Sequence, residues 1–306
     1  MTYLKRKIDS FLSDWKRDPN RKPLIVKGPR QVGKTESIRQ FAQANYDSVI
    51  EINFVEEPKY KAVIEDGYAV ADIVRNISFI DPSKKFVDGR TLLFFDELQE
   101  FPEIATALKF FRQDGRFDVI CSGSLLGISY RRIESNSVGY KTDYEMRSLD
   151  FEEFLWAKGY DDALADALLD HLVKAHPLSD VQHQVLMKLF LDYCALGGMP
   201  EVVRGYIENG TFEGSLQVQR QLVLDYREDI QKYAEGLDKG RILSVFNHIP
   251  AQLAKDNKKF QISKVAKGAG ERVSLSFVSR AAAEGKLRGK QIQAVLWRYG
   301  LVRLHA

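Results

Sequence analysis

Apolar and polar positions follow two regimes along this chain. As far as residue 149, short apolar runs alternate with stretches of helical period. Residues 23–26 are a compact apolar run suited to a strand buried on both faces, and residues 48–54 alternate as a half-buried strand does. Residues 91–95, 118–121 and 144–149 predict three more strands. Between them, Ile38, Phe41 and Ala42 recur at helical spacing, residues 59–80 read mostly as helix, and residues 104–111 carry the same period. A helix over residues 3–18 would lay Ile8, Phe11, Leu12 and Trp15 on one face before Asp18-Pro19-Asn20 breaks it. Strand and helix alternating in this way predict an α/β fold with a parallel sheet.

Beyond residue 150 the strand pattern stops. Asp150-Phe151-Glu152-Glu153 reads as a capping box opening a helix with Phe154, Leu155 and Trp156. Residues 164–175, 181–196, 201–207 and 216–233 read as further helices, with Gly197-Gly198-Met199-Pro200 as a stop between two of them. Residues 241–267 suggest a helix, a turn through Asp256-Asn257-Lys258-Lys259-Phe260 and a second helix from Ser263, which fits the opening of a helix-turn-helix or winged helix, a module that also serves protein contacts alone. The expected division is 1–150 as an α/β core with its N-terminal helix, 151–238 as a helical, lid-like region, and 239–306 as a partial winged helix with a basic tail.

Chemistry concentrates in the first region. Gly28-Pro29-Arg30-Gln31-Val32-Gly33-Lys34-Thr35 fits the phosphate-binding pattern G-x-x-x-x-G-K-[ST] at every fixed position. Two glycines let the backbone curl so that its N–H groups face a triphosphate, and the following helix adds the partial positive charge of its N-terminus. Lys34 would reach the β- and γ-phosphates, and Thr35 would offer its hydroxyl to Mg2+. Strand, glycine loop and helix stand in the order this mechanism needs, which sets the match apart from a chance glycine turn.

About sixty residues further on, Thr91-Leu92-Leu93-Phe94-Phe95-Asp96-Glu97 is an apolar strand ending in two acids. Alone, such a pair also reads as a solvated helix start; after a phosphate loop it reads as the second half of one site. Asp96 would hold the metal and Glu97 would polarise the attacking water. The strand at 118–121 runs into Ser122-Gly123-Ser124. In hydrolases with a strand between the phosphate-loop strand and the acidic strand, a polar tip here can touch both γ-phosphate and water. Ser122 or Ser124 fits that role, Ser124 being preferred, and a plain strand-ending turn is the alternative.

Composition narrows the class without changing this picture. With 306 residues, 44% hydrophobic and 28% charged, the chain can bury a large core and hold two or three domains. No apolar run nears the ~18 residues of a membrane span, and the basic N-terminus leads into an amphipathic helix rather than a signal sequence. Two cysteines, Cys121 and Cys194, both in apolar segments, predict buried thiols in a cytoplasmic protein, and the five histidines form no zinc-like spacing. Net charge is +3, but residues 271–306 hold seven Lys/Arg against two Glu. That excess adds weight to a DNA-binding C-terminal region, though charge alone supplies only non-specific affinity.

Taken together, Arg30-Gln31-Val32-Gly33-Lys34-Thr35, Phe95-Asp96-Glu97-Leu98-Gln99-Glu100, Gly123-Ser124-Leu125-Leu126-Gly127, Leu149-Asp150-Phe151-Glu152-Glu153-Phe154-Leu155, Gly197-Gly198-Met199-Pro200 and Ile249-Pro250-Ala251-Gln252-Leu253 resemble one known group. The chain is similar to bacterial and archaeal AAA+-type ATPases with an appended domain of unknown function numbered 4143. The resemblance spans residues 4–269 and implies strand order 5-1-4-3-2, a helical segment and a winged-helix-like region. In that family a further region with a nuclease-like fold follows. Here the match ends near Gly270, where Glu271-Arg272-Val273-Ser274 replaces the family's acidic helix, and the expectation is a truncated or frame-shifted end.

An oligomeric ATPase of this kind would take an arginine in trans. Arg147 is the first candidate, followed by Arg131 and Arg132, each of which also reads as a surface charge. The expected activity is Mg-dependent ATP hydrolysis driving conformational change on an unidentified partner, in a homo-oligomer free of the membrane. The alternative is a nucleotide-gated DNA- or protein-binding module with little turnover. A GTPase is disfavoured by the lack of an Asn-Lys-x-Asp segment, and a kinase by the lack of an acceptor-binding segment before Asp96.

Overall fold

The computed structural model describes residues 2–124, 139–174, 176–233 and 239–253. They fall into two compact units, one of residues Lys5–Arg147 and one combining the residues up to Leu4 with those from Ser148 onward. In the first unit, β1 (Leu24–Gly28), β2 (Ser48–Asn53), β3 (Thr91–Asp96), β4 (Asp118–Ser124) and β5 (Thr142–Glu145) form one sheet in the order β2-β3-β4-β1-β5. Every pairing is parallel, and this is the order the resemblance implied.

Alternation inside the apolar runs explains the layers. Ile25, Leu93, Phe95, Val119 and Cys121 point to one face with Ile73 and Ile77 of α3 (Val70–Ile80) and Phe111 of α4 (Leu108–Asp114). Leu24, Val26, Leu92, Phe94 and Ile120 point to the other, against Ile8 and Leu12 of α1 (Lys7–Arg17) and Ile38 and Phe41 of α2 (Lys34–Asn45). A sheet covered on both sides needs apolar residues at every position, so its central strands lack polar alternation. Burial also pushes the Cys121 thiol up.

Several boundaries differ from the sequence pattern. The first helix starts at Lys7, not residue 3, because Arg6 is extended and its N–H donates to Asp9 Oδ2 at 2.8 Å. The apolar period at 104–111 is split between a 3-10 helix over Pro102–Ala107 and α4, and residues 59–80 between a 3-10 helix over Pro58–Ile64 and α3. The last strand lies at Thr142–Glu145 rather than 144–149. Its apolar residues misled: Met146 lies behind the phosphate-loop glycine, and Leu149 belongs to the core of the other unit.

That second unit is helical, with α5 (Phe151–Ala157), α6 (Asp162–Val173), α7 (Asp180–Leu196), α8 (Pro200–Asn209), α9 (Ser215–Tyr233) and α10 (Lys239–Leu253). The capping box at Asp150 forms: Glu153 N–H donates to Asp150 Oδ1 at 3.0 Å and Asp150 N–H to Glu153 Oε2 at 3.1 Å. The Gly197-Gly198 stop meets this same segment. Gly197 sits at φ 71°, ψ −174°, which only glycine adopts freely, and a Cβ on Gly198 would lie 2.1 Å from the Leu149 carbonyl oxygen. Leu149 N–H in turn donates to Gly198 O at 2.7 Å. The turn and second helix expected after α10, and the tail beyond them, lie outside the described residues.

Three segments of the first unit converge on Asp118, at the start of β4. Lys16 of α1 (3.1 Å), Arg21 before β1 (2.7 Å) and Tyr46 after α2 (2.7 Å) all donate to its carboxylate. Burial alone would raise this carboxyl, but the bonds from Arg21, Tyr46 and Lys16 hold it below the usual range. Asp118→Asn is expected to lower unfolding stability by about 1–3 kcal/mol near neutral pH. A carboxylate with a depressed folded pKa gives stability above its unfolded value of about 3.9, lost as pH falls through the folded value. The gap between the two proteins should therefore narrow as pH falls below about 3.9, as read by urea titration; a gap that widens with acidification would contradict the ion-pair account.

Candidate functional site

Three neighbouring strand tips carry the candidate residues. β4 lies between β3 and β1, and its register sets Gly28 opposite Ser124 and Phe95 opposite Cys121. The phosphate loop after β1, the acids closing β3 and the serines closing β4 therefore meet at the carboxyl edge of the sheet, where α/β folds bind ligands.

The loop is shaped by backbone constraints that are specific to it. A Cβ on Gly28 would lie 2.2 Å from the Met146 carbonyl oxygen, so the first glycine is required by close approach. Gln31 (φ 62°) and Gly33 (φ 92°) are both left-handed, which curls the loop into the concave arrangement that receives anions. Among the described residues the non-glycine positions with left-handed backbone are Gln31 and Glu97 (φ 56°), and both lie here. Such conformations cost about 1–3 kcal/mol each and persist where the surroundings impose them.

Gly33 opens α2 with no side-chain cap, and Lys34 is the helix's first residue. The Lys34 ammonium folds back onto the loop, donating to Pro29 O at 2.7 Å and Gly28 O at 3.2 Å. Burial lowers its pKa to about 8, helped by Arg30 and opposed by Glu97 and Asp96. Its hydrogen bonds go to two carbonyls, so an anion at the loop would further favour the charged form.

Asp96 is 3% exposed and fully engaged. Thr35 Oγ1 donates to its Oδ2 at 3.0 Å, and Asn53 Nδ2, from the end of β2, lies 3.5 Å from the same oxygen. Ser122 Oγ and the Glu97 N–H, the latter at 3.0 Å, donate to Oδ1. The Asn53 amide is oriented by its own turn, since its Oδ1 accepts from Val55 and Glu56 N–H at 2.9 and 3.2 Å. Thr35 and Asp96 form a hard-oxygen pair suited to Mg2+, and among the described residues no group of three or more His, Cys, Asp or Glu could hold a metal without other ligands. Two protein oxygens fit an ion whose remaining ligands come from phosphates and water.

The two serines occupy different places. Ser122 is fully buried on Asp96, whereas Ser124 is at the strand tip, its N–H donating to Gln99 Oε1 at 2.9 Å. Gln99 Nε2 in turn donates to Glu97 Oε2. Arg147 has a half-exposed side chain with Nε 3.7 Å from Glu145 Oε1. Its carbonyl accepts from Arg6 Nη2 at 2.6 Å while Arg6 Nη1 donates to Val32 O at 2.7 Å, so one guanidinium ties the phosphate loop to the exit of β5. Arg131 and Arg132 lie outside the described residues. Sequence reasoning assigned no role to Arg6, Asn53 or Gln99; Arg6 is one cation in the run Lys5-Arg6-Lys7, and nothing local sets it apart from its neighbours.

Residues 20–155 match the family model of an AAA domain, and residues 187–284 match a domain of unknown function (DUF8612), where the resemblance named the domain numbered 4143. No curated protein matches the chain. Solved structures similar to it include AMPPCP-bound DnaA from Aquifex aeolicus, at 15% identity and TM-score 0.39 over 97% of this chain and 93% of that one. Another is C. elegans PCH-2, at 13% identity and TM-score 0.32 over 57% of this chain and 49% of that one. Sheet order and family match together give the Lys5–Arg147 unit the AAA+ P-loop NTPase fold, a nucleotide-binding architecture. Among the described residues no helix is long and apolar enough to cross a membrane.

Because burial lowers the Lys34 pKa to about 8 against the opposing charges of Glu97 and Asp96, triphosphate binding should draw a proton onto the amine at or above that pH. Calorimetry in buffers of different ionisation heat is expected to show uptake of about half a proton near pH 8, with affinity weakening as pH rises further. Proton release, or affinity that strengthens with pH, would contradict this electrostatic picture.

Proposed function

We propose that this protein is a Mg-dependent ATPase whose cycle changes its conformation on a partner. The observation that carries the reading is the Thr35 hydroxyl on the Asp96 carboxylate at 3.0 Å, which joins the phosphate loop to the acidic strand at one point. Gly28, Pro29, Arg30, Gln31, Val32 and Gly33 cradle the phosphates with backbone N–H groups, and Lys34 contributes its charge to the β- and γ-phosphates. Thr35 and Asp96 hold Mg2+, which when bound neutralises charge on those phosphates. Glu97, the next residue after Asp96, orients and deprotonates the attacking water.

Ser124, at the tip of β4, is proposed to touch both γ-phosphate and water, a reading supported by the engagement of the Ser122 hydroxyl with Asp96. Arg147 is proposed to act on the nucleotide of a neighbouring copy, supported by its half-exposed side chain at a position whose carbonyl accepts from the loop-bracing Arg6. The helical region is the part such a cycle would move. DNA is a candidate partner through the basic tail, which lies outside the described residues.

Steady-state phosphate release from Mg-ATP, with and without duplex DNA, tests the reading. Lys34→Ala is expected to weaken ATP binding by about ten- to a hundredfold, the worth of a charge-assisted contact. Glu97→Gln should retain binding and lose turnover by roughly two to four orders of magnitude. Equal turnover in Glu97→Gln and wild type would remove Glu97 from the chemistry, and tight binding without turnover in either would favour a nucleotide-gated module.

A further inference from the structure

Gln99 has no part in the mechanism above, yet its amide is used at both ends by residues that do. It is 7% exposed; Nε2 donates to the Glu97 carboxylate, and Oε1 accepts from the Ser124 N–H at 2.9 Å. Chemistry forces this orientation of the amide, because a backbone N–H can only donate and a carboxylate can only accept. No other side chain of similar size offers one acceptor and one donor in that geometry except glutamine itself.

The support beneath it is rigid. Gln99 sits in a single 3-10 turn, Leu98–Glu100, closed by Glu100 N–H on Glu97 O (2.9 Å) and Phe101 N–H on Leu98 O (3.2 Å). Leu98 and Phe101 on either side are buried in the core, and Phe101 meets Phe54 edge to face. Glu97, whose left-handed backbone starts the turn, has its N–H held by Asp96. A carboxylate on a strand end would otherwise sample several rotamers; here one amide anchors it to the neighbouring strand.

We infer that Gln99 is a positioning residue that ties the Glu97 carboxylate to the tip of β4, so that a shift at Ser124 is transmitted to the water-activating group. This rests on the ATPase reading. The linkage would make the strand tip that faces γ-phosphate set the aim of the base, without Gln99 touching nucleotide.

The test measures turnover of Mg-ATP and equilibrium binding of a fluorescent ATP analogue by the full chain as wild type, Gln99→Leu, Gln99→Glu, Glu97→Gln and the double variant Glu97→Gln/Gln99→Leu. Gln99→Leu should lower kcat by about ten- to a hundredfold with nucleotide Kd within about twofold. Gln99→Glu keeps an acceptor for Ser124 N–H but loses the donor towards Glu97, so it should fall as far while keeping the fold. In the Glu97→Gln background, Gln99→Leu should change single-turnover rates by less than about twofold, because the two act as one unit. Unchanged kcat in either Gln99 variant, effects that multiply in the double variant, or a Kd that worsens in step with kcat would overturn the inference alone. Absence of turnover in wild type would overturn the ATPase reading and this inference with it.

Discussion

The Asp96 carboxylate is buried where three strands end, and burial of a charge is tolerated only when its oxygens are supplied with donors. Thr35, Ser122, Asn53 and the Glu97 N–H supply them, drawn from α2, β4, β2 and the residue after β3. One acid therefore sets the register between the phosphate loop and the acidic strand. It also constrains Glu97, which must turn left-handed immediately after it. The fold around this point is built to keep the tips fixed: both sheet faces are covered, and Asp118 pins the opposite end of β4 to α1, α2 and the approach to β1.

The same arrangement holds the phosphate loop in shape. Lys34 lies on the loop's own carbonyls, the buried Arg6 braces Val32, and Gly28 touches the Met146 carbonyl too closely for any side chain. Burial lowers the Lys34 pKa to about 8, so an anion at the loop would favour its charged form. A loop prepared in this way spends little of its binding energy on reorganisation.

What the sequence disclosed follows from which interactions are local. The runs at Leu24 and Leu92 were readable because strands covered on both faces must be apolar throughout, and the Asp150 capping box because its partners lie three residues apart. The phosphate loop and Asp96 were readable because their chemistry demands particular residue types at fixed spacing. Gln99 and Asn53 were not, since their roles arise from a left-handed turn at Glu97 and from strand pairing that places Asn53 beside Asp96. Arg6 acts 26 residues away on Val32. The last strand was displaced because Met146 and Leu149, read as strand residues, serve a glycine contact and another core.

The central claim is that Asp96 and Thr35 form the metal end of a nucleotide site, and the Mg2+ dependence of ATP affinity addresses it most directly. Equilibrium binding of ATP to wild type and to Asp96→Asn, each with Mg2+ and with chelator, is the measurement. The account predicts that Mg2+ tightens ATP binding to wild type and that Asp96→Asn removes most of that tightening while still binding ATP. An equal Mg2+ effect in both proteins, or none in wild type, would contradict it.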